Sequence, residues 1–266
     1  MKISIITVTY NRAETLVNTM DSVLALDYND LEYIVVDGAS KDSTIQILKD
    51  YELRFKKISE TVGRTFTFRW ISESDKGLYD AMNKGIRMAT GDVVGIINSD
   101  DYFHRKDIMS IVAKTFEENK GIEAVYGDIR VVTPENLEKT VRYTYSRFFF
   151  PACFRIGLMP SHATFFTYKR NFDKYGYYKP ELRISADFDL LVRFMYVHKL
   201  KTKYIHVPFE TMRTGGASMS TMANKLNINR DILFSLKANG IWSCKPLLFL
   251  RYPFRFIEYV IFKKKR

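Results

Sequence analysis

The sequence predicts an α/β fold in which helices cover both faces of one central, mostly parallel sheet. Two observations lead to this expectation: β-rich segments and segments with helical periodicity alternate through the first half, and the connections between them are short. A chain of 266 residues is long enough for one large domain. We therefore expect a single domain over residues 1–240, followed by a separate tail over 241–266.

The first half contains a regular series of strands and helices. Residues 3–10 are β-rich, and residues 13–26 place Leu16, Met20 and Val23 on one helical face. The segments that follow have the same alternating character. In order, they are a strand at 31–36, a helix at 43–55, a strand at 68–72, a helix at 78–89, a strand at 93–97, a helix at 106–118 and an extended segment at 122–132.

The second half has weaker periodicity. Residues 133–160 mix aromatic residues with Arg and Pro, and they predict loop and short helix. The later segments can again be assigned by pattern. In order, they are a strand at 162–168, a helix at 185–198, a strand at 202–209, a glycine-containing loop at 213–220 and a helix at 223–239.

The composition is that of a basic globular protein. Its 41 Lys and Arg and 30 Asp and Glu give a net charge of +11, which suits an anionic partner. The two cysteines are too few for a disulfide framework or a zinc site. The apolar start of the chain lacks a small-residue cleavage site, so it predicts a first strand instead of a signal peptide, and we expect a cytoplasmic protein.

Each of the four predicted parallel strands ends in polar residues: TYNR, DGASKDST, SESDKG and NSDD. In open α/β sheets, ligands bind beyond the carboxyl ends of the strands. No phosphate-binding loop or dinucleotide fingerprint is present, so a nucleotide would need another way to hold its phosphates. A divalent cation bound by the oxygens of Asn98, Asp100 and Asp101 would serve. The alternative is that one of these acids only caps the next helix.

The segments SIITVTYNR, IVVDGASKDST, SDKGLYDAMNKGIRMATGD and INSDD, in this order and spacing, resemble family 2 glycosyltransferases with the GT-A fold. The resemblance is strong over residues 2–102, continues more weakly to about 220 and does not include the tail. It implies a nucleotide-sugar-binding half at 1–132 and an acceptor-side half at 133–240. It also implies a UDP-sugar donor and a Mn²⁺ or Mg²⁺ cofactor.

The resemblance assigns roles to individual residues. Asp100 is the implied metal ligand, with Asp101 in support. Two positions depart from the family pattern, because Gly38 and Asn98 stand where many members have an acid. The implied donor-binding residues are Tyr10, Asn11 and Asp37 around the base and ribose, Asp75, Lys76 and Asn83 near the diphosphate, Asn98, Ser99 and Asp100 in the D-x-D position, and His162 beside the cleft.

A catalytic base is implied in the second half. Inverting members place it on a helix, and Asp187 occupies the matching position, with Ala186 where a Glu is frequent. It would accept the proton of the attacking acceptor hydroxyl. The alternative is a solvated acid near a helix start. Arg213 stands in the late loop, where some members have a metal-binding histidine, and it is a further candidate for a phosphate contact.

The tail predicts a second kind of interaction. Among the last 26 residues, seven are basic and one is acidic, and the pattern is that of an amphipathic helix with a terminal KKKR cluster. Such a helix lies on an anionic membrane surface. Packing of the helix on the catalytic domain is the alternative. We expect a peripheral protein on the inner face of the cytoplasmic membrane.

Together these expectations describe an inverting, metal-dependent enzyme of polysaccharide biosynthesis. It would move a sugar from a nucleotide diphosphate donor to a hydroxyl of a glycan or lipid-linked saccharide acceptor, with no nucleic-acid partner. Two alternatives stay open. One is a basic nucleic-acid-binding protein. The other is a catalytically inactive scaffold of the same fold, which the residues Gly38, Asn98 and Ala186 would permit.

Overall fold

The computed structural model describes residues 1–182, 185–215 and 222–256. Their nine strands form one sheet. The strands are β1 (Ile3–Thr9), β2 (Leu31–Asp37), β3 (Phe66–Ser72), β4 (Val93–Ile96), β5 (Tyr102–Phe103), β6 (Ala124–Thr133), β7 (Asn136–Thr144), β8 (Phe166–Tyr168) and β9 (Thr202–Arg213). The helices are α1 (Ala13–Leu24), α2 (Thr44–Val62), α3 (Leu78–Met88), α4 (Ile108–Glu118), α5 (Lys169–Tyr175), α6 (Ala186–Leu191), α7 (Met222–Ala238) and α8 (Lys245–Phe249).

The first half of the sheet is parallel, in the order β3-β2-β1-β4. Its register brings Thr9 beside Asp37 and Asp37 beside Ser72, so three strands end level at one edge. Two large apolar clusters cover the two faces of the sheet. This arrangement confirms the predicted α/β fold and places the polar strand ends together.

The second half of the sheet is mixed, because β8 joins β4 antiparallel and the order continues through β6, β9 and β5. The expectation of loop and short helix at 133–160 is wrong in part. Residues Asn136–Thr144 form β7, which pairs with β6. Most of β7 is exposed or half-buried, so its sequence lacks the apolar alternation that marks a strand.

Another correction concerns residues 162–168. Only Phe166–Tyr168 form a strand, and His162–Thr164 form a 3₁₀ turn before it. The predicted helix at 185–198 begins as α6 and continues as a π-helical turn over Val192–Val197. The predicted loop at 213–220 lies mostly outside the described residues.

The described part of the tail packs on the domain. Leu248 of α8 is buried in the larger core, and the Arg251 guanidinium donates to Asn229 Oδ1 at 2.6 Å. Residues 251–256 are helical. Residues 257–266, which include the one acid of the tail, Glu258, and the KKKR cluster, lie outside the described residues. Within the described part of the chain, every helix is too short or too polar to cross a membrane.

A buried ion pair joins the elements of the second half. Asp189 is fully buried and accepts from Arg193 Nε at 2.8 Å, Ser235 Oγ at 3.0 Å and Lys179 Nζ at 3.2 Å. Arg193 is 8% exposed, and its guanidinium also donates to the carbonyl oxygens of the segment from Tyr175 to Tyr177. This pair therefore connects α6, α7 and the loop after α5.

Removing the acid should be strongly destabilising. Asp189→Ala leaves the Arg193 charge buried without its carboxylate, so the free energy of unfolding should fall by about 3–5 kcal/mol. Urea denaturation measures this, with Glu60→Ala, an exposed acid on α2, as the control that should change by less than about 0.5 kcal/mol. A loss for Asp189→Ala no larger than that of the control would contradict the role of this pair.

Candidate active site

The ends of β1, β2 and β3 are braced by Asp37. Its buried carboxylate accepts from the Ser40 backbone N–H at 2.9 Å, from the Ser40 hydroxyl and from the Ser72 hydroxyl at 2.7 Å. Asn11, with a left-handed φ of 51°, joins the same loop, since its Oδ1 accepts from the Lys41 N–H at 2.8 Å. These bonds hold the first two strand-end loops against each other.

A glycine at position 38 is explained by its neighbour. A Cβ atom on Gly38 would lie 2.7 Å from Asp75 Oδ2, so the Asp75 carboxylate occupies the space that a side chain there would need. Tyr10 lies beside the same glycine and is 57% exposed. Gly38 thus stands where many family members have an acid, and in this protein the Asp75 carboxylate, from the loop after β3, lies beside it. The exposed Tyr10 ring is next to both residues.

Lys76 and Asn83, two other residues expected to bind the donor, have different surroundings. Lys76 is exposed, and its ammonium has no ion-pair partner within the described ranges. Asn83 is buried, and its amide donates to the Tyr178 carbonyl at 2.9 Å and accepts from the Tyr178 N–H at 3.0 Å. Lys76 is available to a ligand, whereas Asn83 clamps α3 to the second half of the chain.

The residues after β4 form an acidic cluster. Ser99 is buried, Asp100 is half-buried, and Asp101 is only 2% exposed. Asp101 accepts from Asn98 Nδ2 at 3.1 Å and from the Arg213 backbone N–H at 3.4 Å. Burial, and after it the charge of Asp100, raises the pKa of Asp101 to about 7.

Arg213 lies across this cluster from β9. Its guanidinium donates to the Asp100 carbonyl oxygen and lies 5.5 Å from the centre of the Tyr102 ring. It therefore contacts the backbone of the acidic segment and an aromatic ring. Its expected contact with a phosphate stays a prediction.

A third acid interacts electrostatically with this cluster. Glu210 of β9 is fully buried, and burial together with the charges of Asp101 and Asp100 raises its pKa well above the usual value. Within the described part of the chain, no three His, Cys, Asp or Glu side chains are grouped closely enough to form a metal site. The mutual repulsion of these carboxylates nevertheless fits a site that binds a cation together with oxygen atoms of another molecule.

The expected base, Asp187, lies in the first turn of α6 among aromatic side chains. Its Oδ1 accepts from the Phe188 N–H at 2.8 Å and from the Tyr79 hydroxyl at 3.3 Å. The Tyr79 ring stacks on Tyr178 with centroids 5.5 Å apart, and the Tyr178 hydroxyl hydrogen-bonds His162 Nε2. The structure thus brings Asp187, His162 and two tyrosines into one cluster.

Burial controls the protonation of this cluster. It raises the pKa of Asp187, while the nearby His162 and the bonds from Phe188 and Tyr79 oppose that rise. Burial also lowers the pKa of His162, so the imidazole is kept neutral, against the opposing charge of Asp187. A carboxylate with a raised pKa is a stronger proton acceptor than a solvated one, which suits a general base.

Three residues of these clusters were not expected from the sequence. Tyr79 lies within the quoted segment SDKGLYDAMNKG, so it could have been noticed there. Tyr178 has no sequence signal, because only its contacts with Tyr79 and His162 distinguish it. Glu210 could have been noticed as an acid next to the buried Phe209 in a predicted strand.

The family follows from comparison with known sequences. Residues 4–177 match the model of glycosyl transferase family 2, which is more than half of the chain. The chain belongs to glycosyltransferase family 2. The transferase is 27% identical over 227 residues to a PGL/p-HBAD biosynthesis glycosyltransferase of Mycobacterium tuberculosis, covering 85% of this chain and 82% of the relative. It is 28% identical over 130 residues to the poly-beta-1,6-N-acetyl-D-glucosamine synthase of Staphylococcus epidermidis, covering 48% of this chain and 29% of that protein.

Solved structures share the GT-A fold of the transferase. S. aureus TarS 1-349 in complex with UDP-GlcNAc superposes with a TM-score of 0.65 at 19% identity, over 89% of this chain and 66% of that one. The mannosyltransferase PcManGT from Pyrobaculum calidifontis, in complex with GDP-Man and Mn²⁺, gives a TM-score of 0.63 at 17% identity, over 92% and 66%. The transferase therefore spans about two thirds of the length of these chains.

Proposed function

We propose that the transferase moves a sugar, with inversion, from a UDP-sugar to a hydroxyl group of a glycan or lipid-linked saccharide during polysaccharide or glycoconjugate synthesis. The observation that carries this proposal is the arrangement of two clusters. One is the acid pair Asp100 and Asp101, and the other is the half-buried Asp187, which is hydrogen-bonded by Tyr79. Family membership and the UDP-GlcNAc complex of a structural neighbour support the donor class.

The donor would lie along the edge formed by the strand ends. Tyr10 offers an exposed ring for the base, and Asp75 stands at a neighbouring strand end to bind the ribose, while the buried Asp37 braces the loops around it. Lys76 and Arg213 carry the positive charge that a diphosphate requires. In this proposal Asn11 and Asn83 keep the walls of the site in place through their backbone contacts.

A divalent cation, Mn²⁺ or Mg²⁺, would be held by Asp100, with Asp101 in support. When bound, such an ion supplies charge stabilisation for the leaving diphosphate. Burial, and after it the charge of Asp100, raises the pKa of Asp101 to about 7, and a bound cation would relieve the repulsion between the two acids. Asn98 orients Asp101 through its amide at 3.1 Å, so in this proposal it organises the acids without adding a charge of its own.

Asp187 would act as the base. The acceptor oxygen forms a bond to C1 of the sugar as the bond from C1 to the diphosphate breaks, and its proton passes to the Asp187 carboxylate. Tyr79 holds Oδ1, which leaves the other oxygen for the acceptor. His162 and Tyr178 close the cluster behind the base. They limit the access of water, which would otherwise compete with the acceptor.

Donor binding can be tested by thermal denaturation. UDP with Mn²⁺ should raise the melting temperature by several degrees at concentrations well above Kd, and GDP should raise it less. Asp100→Ala should lose the Mn²⁺-dependent part of the shift, because it removes the carboxylate proposed to hold the cation. Glu118→Ala, an exposed acid on α4, is the control. If no nucleotide sugar stabilises the protein in Mn²⁺, the inactive scaffold is the better description.

The base can be tested separately by kinetics. Asp187→Asn should keep the thermal shift with UDP and lower the rate of transfer by about 10²–10⁴-fold, because the amide cannot accept the proton. In the unsubstituted enzyme the rate should rise with pH through the acidic range as Asp187 ionises, and the variant should lack this rise. Asp173→Asn on α5 is the control. An unchanged rate in Asp187→Asn would remove Asp187 from this role.

A membrane-facing surface would bring the enzyme to a lipid-linked acceptor. Trp242 is 68% exposed and Phe249 is 60% exposed, and Arg155 donates to the Trp242 carbonyl at 3.2 Å. A shallow pocket lies between residues of the segment 145–159 and the helical residues Phe254 and Arg255. Exposed aromatic rings beside arginines are typical of surfaces that bind anionic bilayers. We propose that this face rests on such a bilayer.

The membrane contact can be measured by sedimentation with vesicles. The protein should pellet with vesicles that contain phosphatidylglycerol and much less with pure phosphatidylcholine. The double variant Trp242→Ser, Phe249→Ser should bind at least several-fold more weakly, because it removes inserted aromatic surface. Leu53→Ser on α2, where the leucine is 70% exposed, is the matched control. Equal pelleting of the double variant and the control would contradict this surface.

A further inference from the structure

The Tyr79 hydroxyl bonds the carboxylate of Asp187 from one side. Tyr79 is only 6% exposed, and its hydroxyl donates to Asp187 Oδ1 at 3.3 Å. The backbone N–H of Phe188 donates to the same oxygen at 2.8 Å. Within the described part of the chain, Asp187 Oδ2 has no hydrogen-bond partner, so both bonds hold one oxygen and leave the other open.

The next acid of α6 has a different arrangement. Asp189 accepts from Arg193 Nε at 2.8 Å and from Lys179 Nζ at 3.2 Å, so its negative charge is balanced by cations. Among the described residues, Asp187 has no lysine or arginine in an ion pair with it. An ionised Asp187 therefore depends on its hydrogen bonds, and the Tyr79 hydroxyl supplies one of them.

The hydroxyl of Tyr79 is held in place by the rest of α3. The Tyr79 ring stacks on the Tyr178 ring, with centroids 5.5 Å apart and an interplanar angle of 23°. One turn later, Asn83 donates to the Tyr178 carbonyl at 2.9 Å and accepts from the Tyr178 N–H at 3.0 Å. Phenylalanine could make the same ring contact, whereas the hydroxyl of a buried tyrosine needs a polar partner. The carboxylate of Asp187 is such a partner.

The protonation of Asp187 depends on the groups around it. Among the described residues, three titratable side chains act on it: Tyr79 on α3, His162 in the 3₁₀ turn and Tyr178 in the segment after α5. Burial raises the pKa of Asp187, and His162 and the donors Phe188 and Tyr79 oppose that rise. Burial lowers the pKa of His162, which keeps the imidazole neutral. A hydrogen bond to the charged form of an acid favours that form, so the Tyr79 hydroxyl favours the carboxylate.

We propose that Tyr79 is a positioning residue for the base, whose hydroxyl holds Asp187 Oδ1 and keeps the carboxylate ionised while Oδ2 is left to the acceptor. Tyr79 acts through Asp187 and takes no part in the bond changes. Such a fixed donor supports a catalytic group as a preorganised site requires. This inference rests on the proposed function, in which Asp187 accepts the proton of the acceptor hydroxyl. Its consequence is that Tyr79 extends activity toward lower pH.

The first test measures the pKa of Asp187 directly in the full chain without donor. The protein is labelled with ¹³C-aspartate, and the side-chain carboxyl signal of Asp187 is identified by its loss in Asp187→Asn. Tyr79→Phe keeps the ring and removes only the hydroxyl, so it should raise the pKa of Asp187 by about 0.5–1, the share of one lost donor. Tyr177→Phe, which removes a bond of 2.6 Å to Asp173, is the matched control and should leave this pKa unchanged.

The second test measures the pH dependence of UDP release from UDP-GlcNAc in Mn²⁺. The ionised base is lost as the pH falls through its pKa, and Tyr79→Phe should lose it at higher pH. At pH values below the pKa of both proteins, the variant should therefore be about 3- to 10-fold slower. At high pH, where Asp187 is ionised in both proteins, the rates should be nearly equal. Tyr177→Phe should follow the unsubstituted enzyme at every pH.

The outcomes separate this inference from the proposed function. If Asp187 titrates at the same pKa in Tyr79→Phe as in the unsubstituted protein, the inference is overturned while the base assignment stands. A rate that falls equally at every pH would also overturn it, because only packing would then be lost. If the pKa rises in Tyr79→Phe but Asp187→Asn keeps the full rate, the proposed base fails and this inference fails with it. A rise of the pKa together with a matching shift of the pH profile supports both.

Discussion

The ion pair between Asp189 and Arg193 is the constraint on which the second half of the transferase depends. It is almost completely buried, and the guanidinium is fully occupied by the carboxylate and by carbonyl oxygens of the segment from Tyr175 to Tyr177. Asp187 is two residues before this acid, and Tyr178 is one residue after that segment. The pair therefore fixes the backbone on both sides of the candidate base, as rigid support of a catalytic group requires.

The same region is fastened to the first half by Asn83. Its amide satisfies both the N–H and the carbonyl of Tyr178, and one turn earlier on α3 Tyr79 reaches Asp187. Because α3 also follows directly after Asp75, the helix links the donor edge to the base cluster. In the proposed function, a displacement of α3 would thus move the donor edge and the base cluster together.

Acids serve two opposite purposes in this fold. Those that hold it together, such as Asp37 and Asp189, are surrounded by donors, and the charge is stabilised where it lies. For Asp101 after β4 and Glu210 on β9, burial and, after it, the charges of neighbouring acids raise the pKa. In the proposed function, a bound cation would relieve the repulsion between Asp100 and Asp101 and so offset the cost of placing these two acids together.

The sequence by itself determined the alternation of strands and helices, the polar strand ends and the family, because these depend on local periodicity and on short ordered motifs. It could not determine β7, whose exposed residues carry no apolar pattern. Nor could it show that Tyr79 meets Asp187, or that the Arg213 N–H meets Asp101, since each pair is more than 100 residues apart in sequence. Only the order of strands β4-β8-β6-β9-β5 and the approach of Tyr79 on α3 to the start of α6 decide those contacts, and pairing between distant elements leaves no local pattern in the chain.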